Sequence, residues 1–184
     1  MPRAVRATLH SRSFMDRSLQ DANLPGPPLE AEAAHAFQAG ASFEALMLLE
    51  RVADRARQRD DVSGMVTALR HALDLARREM MVGNLDDPVA AVLMFSCKLG
   101  DALVLAGKQT DAEGVLTEAL NLAGPSSPER SRILASLANV ARDKGRADAA
   151  YQRLDEAVQI AEKADHPNLL EMLERTRRLW IQGL

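Results

Sequence analysis

Three eight-residue stretches of this chain, LRHALDLA (69–76), LTEALNLA (116–123) and LDEAVQIA (154–161), follow one formula. Each has Leu, Ala three residues later, an aliphatic residue next, and then an aliphatic–Ala pair. On a helix that spacing gathers the apolar positions on one face, with small residues among them. A phrase written three times in phase implies that one helical packing unit is built three times.

The residues upstream of each phrase match as well. Before LTEALNLA stand Leu99, Gly100, Leu103, Gly107 and Ala112; before LDEAVQIA stand Leu137, Ala138, Ala141, Gly145 and Ala150. The step is 38 residues, from Gly107 to Gly145 and from Ala112 to Ala150. The same frame before LRHALDLA gives Val52, Ala53, Ala56, Asp60 and Met65, 47 residues from Asp60 to Gly107. The extra length falls in the loop around Gly83.

The rest of the chain agrees with a helical reading. Of 184 residues 47% are hydrophobic but only 3% aromatic, a mixture of Ala, Leu and Val suited to close-packed helices rather than β-sandwiches. Punctuation falls at Gly40-Ala41-Ser42, Arg59-Asp60-Asp61, Gly83–Pro88, Gly107-Lys108-Gln109, Gly124–Pro128, Gly145 and Asp165-His166-Pro167, leaving room for eight helices after residue 28. Asp87 and Ser127, each followed by Pro, read as helix starts. Thr110 with Glu113 reads as a capping box for a helix over 111–123.

Residues 1–28 read as a basic tail, with Arg3, Arg6 and Arg12 and no acid before Asp16, ending in the linker NLPGPP. An organellar transit peptide is the other reading of that composition. Residues 29–184 read as one helical domain, with repeats near 46–79, 93–126 and 131–164 and a capping helix at 167–182. The absence of an uninterrupted run of about 18 apolar residues leads us to expect no membrane span. A net charge of −3, with charges of both signs at 27%, gives no global attraction to nucleic acid or an anionic membrane. One cysteine allows no internal disulfide and fits a reducing, cytoplasmic setting. The Ala- and Arg-rich usage points to a bacterial source.

This pattern resembles the tetratricopeptide repeat, a helix–turn–helix unit of about 34 residues. Leu99-Gly100, Gly107, Ala112, Leu116 and Ala119 meet most of the family's positions, while Ser96 and Leu103 replace a large residue and an aromatic. The other copies keep most of the small positions (Gly145, Ala150 and Ala157 among them), with Ala53 and Ala138 where the family has Gly. The resemblance implies an all-α fold, a right-handed superhelix of about three units plus flanking helices. A fainter resemblance, over GNLDDPVAAVLMFSCKLGDAL, is to such repeats attached to bacterial serine/threonine kinases, although nothing of a kinase is present.

Chemistry-bearing motifs are missing from the sequence. AGKQT (106–110) lacks the spacing and the Ser/Thr of a phosphate-binding loop, and the four histidines have no metal-ligand spacing. Cys97 reads as a buried or groove-lining thiol, and His71 as a residue on a solvated face. We expect no enzyme, metal or cofactor.

The family's groove holds peptides through variable positions of the first helix of each unit. Carried over by frame, these are Met47, Glu50, Asp54, Arg57 and Gln58, then Met94, Cys97, Asp101, Val104 and Leu105, then Arg132, Ala135, Asn139, Arg142 and Asp143. The expected function is therefore a protein-interaction module taking a peptide or amphipathic helix. A sensor region of a signalling protein and a secretion or assembly chaperone are the alternatives. Asp54 and Asp101 speak against a carboxylate clamp built from Arg132, Asn139 and Arg142. The competing reading makes Met94, Val104 and Leu105 core. Leu179, Trp180 and Ile181 read as a homodimer contact, as the packed face of the last helix, or as a surface under another domain.

Overall fold

The computed structural model describes residues 29–83 and 85–182. The expected basic tail, 1–28, lies outside them. Eight helices and no strand occur among the described residues: α1 Leu29–Ala39, α2 Ser42–Gln58, α3 Val62–Val82, α4 Pro88–Leu105, α5 Gln109–Leu122, α6 Pro128–Asp143, α7 Ala147–Lys163 and α8 Pro167–Ile181. The chain divides into two compact units, Met1–Pro88 and Val89–Leu184.

In the first unit α2 packs against both α1 and α3. Its buried residues, Ala45, Leu46, Leu48, Ala53 and Ala56, recur at helical spacing, and alanines on the facing helices (Ala33, Ala36, Ala72, Ala76) let the backbones approach. Asp61 caps α3 by accepting from the Gly64 N–H at 2.8 Å. Where α2 begins and α3 ends, the buried Ser42 hydroxyl donates to Glu79 Oε1 at 2.7 Å, so a polar pair 37 residues apart is satisfied inside the hairpin.

The second unit has Phe95, Leu99 and Leu103 of α4, Leu116 of α5, Ile133, Leu134 and Leu137 of α6, Leu154 of α7 and Leu173 of α8 as its buried large residues. Ser127 caps α6 with Pro128 in its first turn, and the buried Ser131 hydroxyl ties α6 to α7 by donating to the Ala157 carbonyl at 2.7 Å. By length and mean hydropathy (1.7 over 18 residues) α4 is apolar enough to cross a bilayer, although Lys98 and Asp101 interrupt its apolar run. Phe95, Leu99 and Leu103 on its inner face are at most 2% exposed, as in a core helix.

The frame found in the sequence corresponds to one backbone device. At each of five turns, the residue after a left-handed position donates its N–H to the carbonyl five residues back: Ala41 to Ala36, Asp61 to Ala56, Lys108 to Leu103, Arg146 to Ala141 and His166 to Ala161. The left-handed positions are Gly40, Asp60, Gly107, Gly145 and Asp165, so Asp60 (φ 57°) holds the place that Gly107 (φ 71°) and Gly145 (φ 72°) hold in the other copies. Asp tolerates this region better than most residues with a side chain.

The capping box at Thr110 and Glu113 does not form. Helix α5 starts two residues earlier than expected, with Lys108 at its cap position and no side-chain cap, so Thr110 is already inside the helix. Glu113 instead reaches the next hairpin: Lys144 Nζ lies 2.5 Å from Oε2, and Arg146 Nη1 and Arg153 Nη2 lie 3.1 and 3.9 Å from Oε1. The hydrogen bond from Lys144 chiefly holds the Glu113 carboxyl below its usual range, with help from the two positive charges and against a smaller burial effect. A lowered folded-state value means that this contribution is complete above the ordinary glutamate range, near 4.5, and is lost as the pH falls through the folded value. Glu113→Gln is expected to destabilise the second unit by about 1–2 kcal/mol at pH 7, since the pair is only partly exposed. The difference from wild type should shrink on acidification below pH ~4. Urea midpoints at pH 7 and pH 3 check both points.

Candidate interaction faces

On α4, Met94, Cys97, Asp101, Val104 and Leu105 follow three- and four-residue spacing and form one stripe beside the buried face. Met94 is 40% exposed and Leu105 67%, with Val104 half-buried, so Met94 and Leu105 belong to the surface rather than the core. The stripe meets α6 through a hydrogen bond from the Ser136 hydroxyl to Asp101 Oδ1 at 2.9 Å. Arg132 and Glu129 of α6 lie close enough to act electrostatically on Cys97. Six of the groove positions, Met94, Cys97, Asp101, Val104, Leu105 and Arg132, thus sit along the α4–α6 seam or on the stripe that leads to it. Asn139 is exposed further along α6.

Cys97 is half-buried at this seam. Burial pushes its thiol up to about 12, with Asp101 and Glu129 adding to the rise and Arg132 opposing it. At that value the thiol stays protonated at neutral pH. No group of three or more His, Cys, Asp or Glu suited to a metal occurs among the described residues.

Arg142 lies at the far end of α6 with its guanidinium over the Trp180 ring, 5.1 Å from the centroid. Trp180 also meets Tyr151 edge-on (5.6 Å, 85°) and is 8% exposed, so of its three readings the packed face of the last helix is the one observed. Leu179 and Ile181 beside it are exposed, Ile181 at 70%.

In the first unit, Met47, Glu50, Asp54 and Arg57 lie on one side of α2, with Asp54 and Arg57 forming an exposed ion pair at 3.5 Å. A cleft of about 780 Å³ opens on another side of the same helix. It runs between α1 and α3 over Leu49, Val52 and Ala56, with Ala33 and Phe37 on one wall and Ala68 and Leu75 on the other. His71, exposed as expected, lines it too. None of the groove positions carried over to α2 (Met47, Glu50, Asp54, Arg57 and Gln58) lines the cleft, although the frame's packing positions Val52 and Ala56 do.

No family model matches the chain, and no curated protein matches it significantly. Among solved structures it is similar to BtubC (BKLC) from P. vanneervenii, with a TM-score of 0.59 and 15% identity over 94% of this chain. This chain spans 63% of BtubC's length. Two further similarities are to the Rap conjugation gene regulator of the plasmid pLS20, solved with a peptide (TM-score 0.47, 14% identity, 97% of this chain and 54% of that one), and to TTC0263, a thermophilic TPR protein of Thermus thermophilus (TM-score 0.40, 20% identity, 92% and 87%). Helix–turn–helix units closed by one repeated turn, with small residues where their helices cross, give this chain an all-α helical-repeat fold similar to that of BtubC.

Proposed function

We propose that this chain is a non-catalytic interaction module that binds a peptide or amphipathic helix of a partner protein along the α4–α6 face. The observation that carries the reading is the exposure of Met94 and Leu105 on a helix whose opposite side is core. An adaptable methionine, a half-buried thiol and aliphatic residues offer an apolar track, and Asp101, Arg132 and Asn139 offer polar selectivity beside it. The partner is a protein rather than nucleic acid or membrane, the setting is the cytoplasm of a bacterium, and the site needs no cofactor. No homodimer is proposed through Trp180, whose ring is packed inside its own unit. Kinase-linked signalling and secretion chaperoning differ from this reading in the partner, not in the face.

The test uses a peptide selected on the full chain from a display library. Met94→Glu and Leu105→Glu should each weaken its binding at least tenfold while the melting temperature stays within about 2 °C of wild type, because exposed sites tolerate charge. Binding unchanged in both folded variants would remove the α4–α6 face from consideration. Unfolding of both would make these residues core.

A further inference from the structure

The α4–α6 face leaves two features of the chain unused, an apolar cleft over α2 and an apolar stripe on the outside of α8. We propose that they are the two halves of one contact, in which α8 of one copy of this chain lies in the α1–α3 cleft of a second copy, so that the protein associates head to tail.

In a helical-repeat fold each hairpin covers an apolar face of its neighbour, so a terminal helix that meets only water is expected to be polar outside. Helix α8 departs from that rule. Met172 is 49% exposed and Leu179 39%. They stand seven residues apart and therefore on one side of the helix, about a quarter turn from the packed face of Leu169, Leu173 and Trp180. The first unit has the complementary defect. Ala33 and Ala34 of α1 and Gly64 and Ala68 of α3 are too short to fill the space above α2, which leaves Leu49 and Val52 half-buried on the cleft floor.

Ridge and groove also agree in length and in charge. Met172 to Leu179 spans about 10 Å along α8, as Leu49 to Ala56 does along the floor. Arg55 and Arg59 line one end of the cleft, where they outweigh Glu30 because the Asp61 carboxylate is held by the Gly64 N–H. Asp74 lines the other end. Laid antiparallel to α2, the α8 of a second copy brings its exposed Glu171 to the two arginines and its exposed Arg178 to Asp74. A ridge and a groove at different places on one chain make a heterologous contact, which goes on adding copies in rings or open chains rather than stopping at a symmetric dimer. Trp180 takes no part, since its ring stays inside its own unit.

Sedimentation equilibrium of the full chain, run up to about 300 µM, tests this with two variants and their mixture. The average mass of wild type should rise with concentration past that of a dimer. Met172→Glu puts a charge on the ridge, and Thr67→Trp fills the cleft from an exposed wall position. Each should weaken association at least tenfold while keeping the wild-type melting temperature. Mixed in equal amounts, the two should pair again and stop at the dimer, because the first retains an intact cleft and the second an intact α8. Leu179→Glu and Ala34→Trp repeat the test should either variant unfold. A wild type that is monomeric at every concentration would overturn the proposal. So would folded variants that associate as wild type does, or a mixture that stays monomeric, since another face or a symmetric contact would then hold the copies together.

Discussion

Gly100→Leu is expected to destabilise the second unit by about 3 kcal/mol or more, the upper range for overpacking a close-packed site. A Cβ at Gly100 would stand 2.7 Å from Leu116 Cγ and 2.8 and 2.9 Å from its two methyl carbons. Leu116 is fully buried, so its side chain has no free volume to move into. Gly100→Ala should already cost stability, although the better helix propensity of Ala, about 1 kcal/mol, offsets part of the clash. Leu116→Ala alone should cost about 2–5 kcal/mol through the cavity it leaves. Combined with Gly100→Ala it should cost clearly less than the sum, because the new methyl occupies that cavity. Urea unfolding followed by circular dichroism gives all four values. A Gly100→Leu protein within about 0.5 kcal/mol of wild type would mean that α4 and α5 do not cross closely there.

Trp180→Ala should cost about 3 kcal/mol, at the low end for a large aromatic removed from a core because α8 is the last helix of its unit. The ring closes the cluster of Leu154, Val158, Leu169 and Leu173, meets Tyr151 edge-on and lies under Arg142. Its loss should expose the α8 amides to hydrogen exchange first. Trp180→Phe should retain roughly half of the stabilisation, since an edge-to-face partner for Tyr151 remains. Ile181→Ala, at a 70% exposed neighbour, should stay within about 0.5 kcal/mol of wild type. A Trp180→Ala melting curve that overlays wild type at low concentration, with a difference only when concentrated, would return Trp180 to an intermolecular contact.

The sequence carried the helix boundaries because Gly, Pro and Asp punctuate them. The turns at Asp60, Gly107 and Gly145, aligned on residue spacing alone, share one hydrogen-bond pattern and one left-handed position. Gly40 and Asp165 use the same turn, but their neighbours do not repeat the eight-residue phrase that made the others visible. The capping box failed for a physical reason. Thr-x-x-Glu is a local signal, and the Glu113 carboxylate has stronger partners in Lys144 and Arg146, 31 and 33 residues away. The buried Ser42–Glu79 pair was out of reach for the same reason, being set by how α2 and α3 align. Lys98 and Asp101 interrupted the apolar run of α4 and hid a mean hydropathy that the whole helix reaches. For the candidate site, the frame identified the exposed stripe of α4 but said nothing of Ser136, whose hydroxyl joins α6 to it. Nor did the groove positions of α2 point to the cleft, which lies over the frame's packing residues Val52 and Ala56.

Backbone chemical-shift mapping of the full ¹⁵N-labelled chain, titrated with the display-selected peptide, tests the assignment of function to the α4–α6 face most directly. We predict saturable shifts at Met94, Cys97, Leu105, Arg132 and Asn139, with the far side of α5 unmoved. Saturable shifts confined to the α1–α3 cleft or the end of α8, with Met94 and Leu105 unmoved, would contradict it.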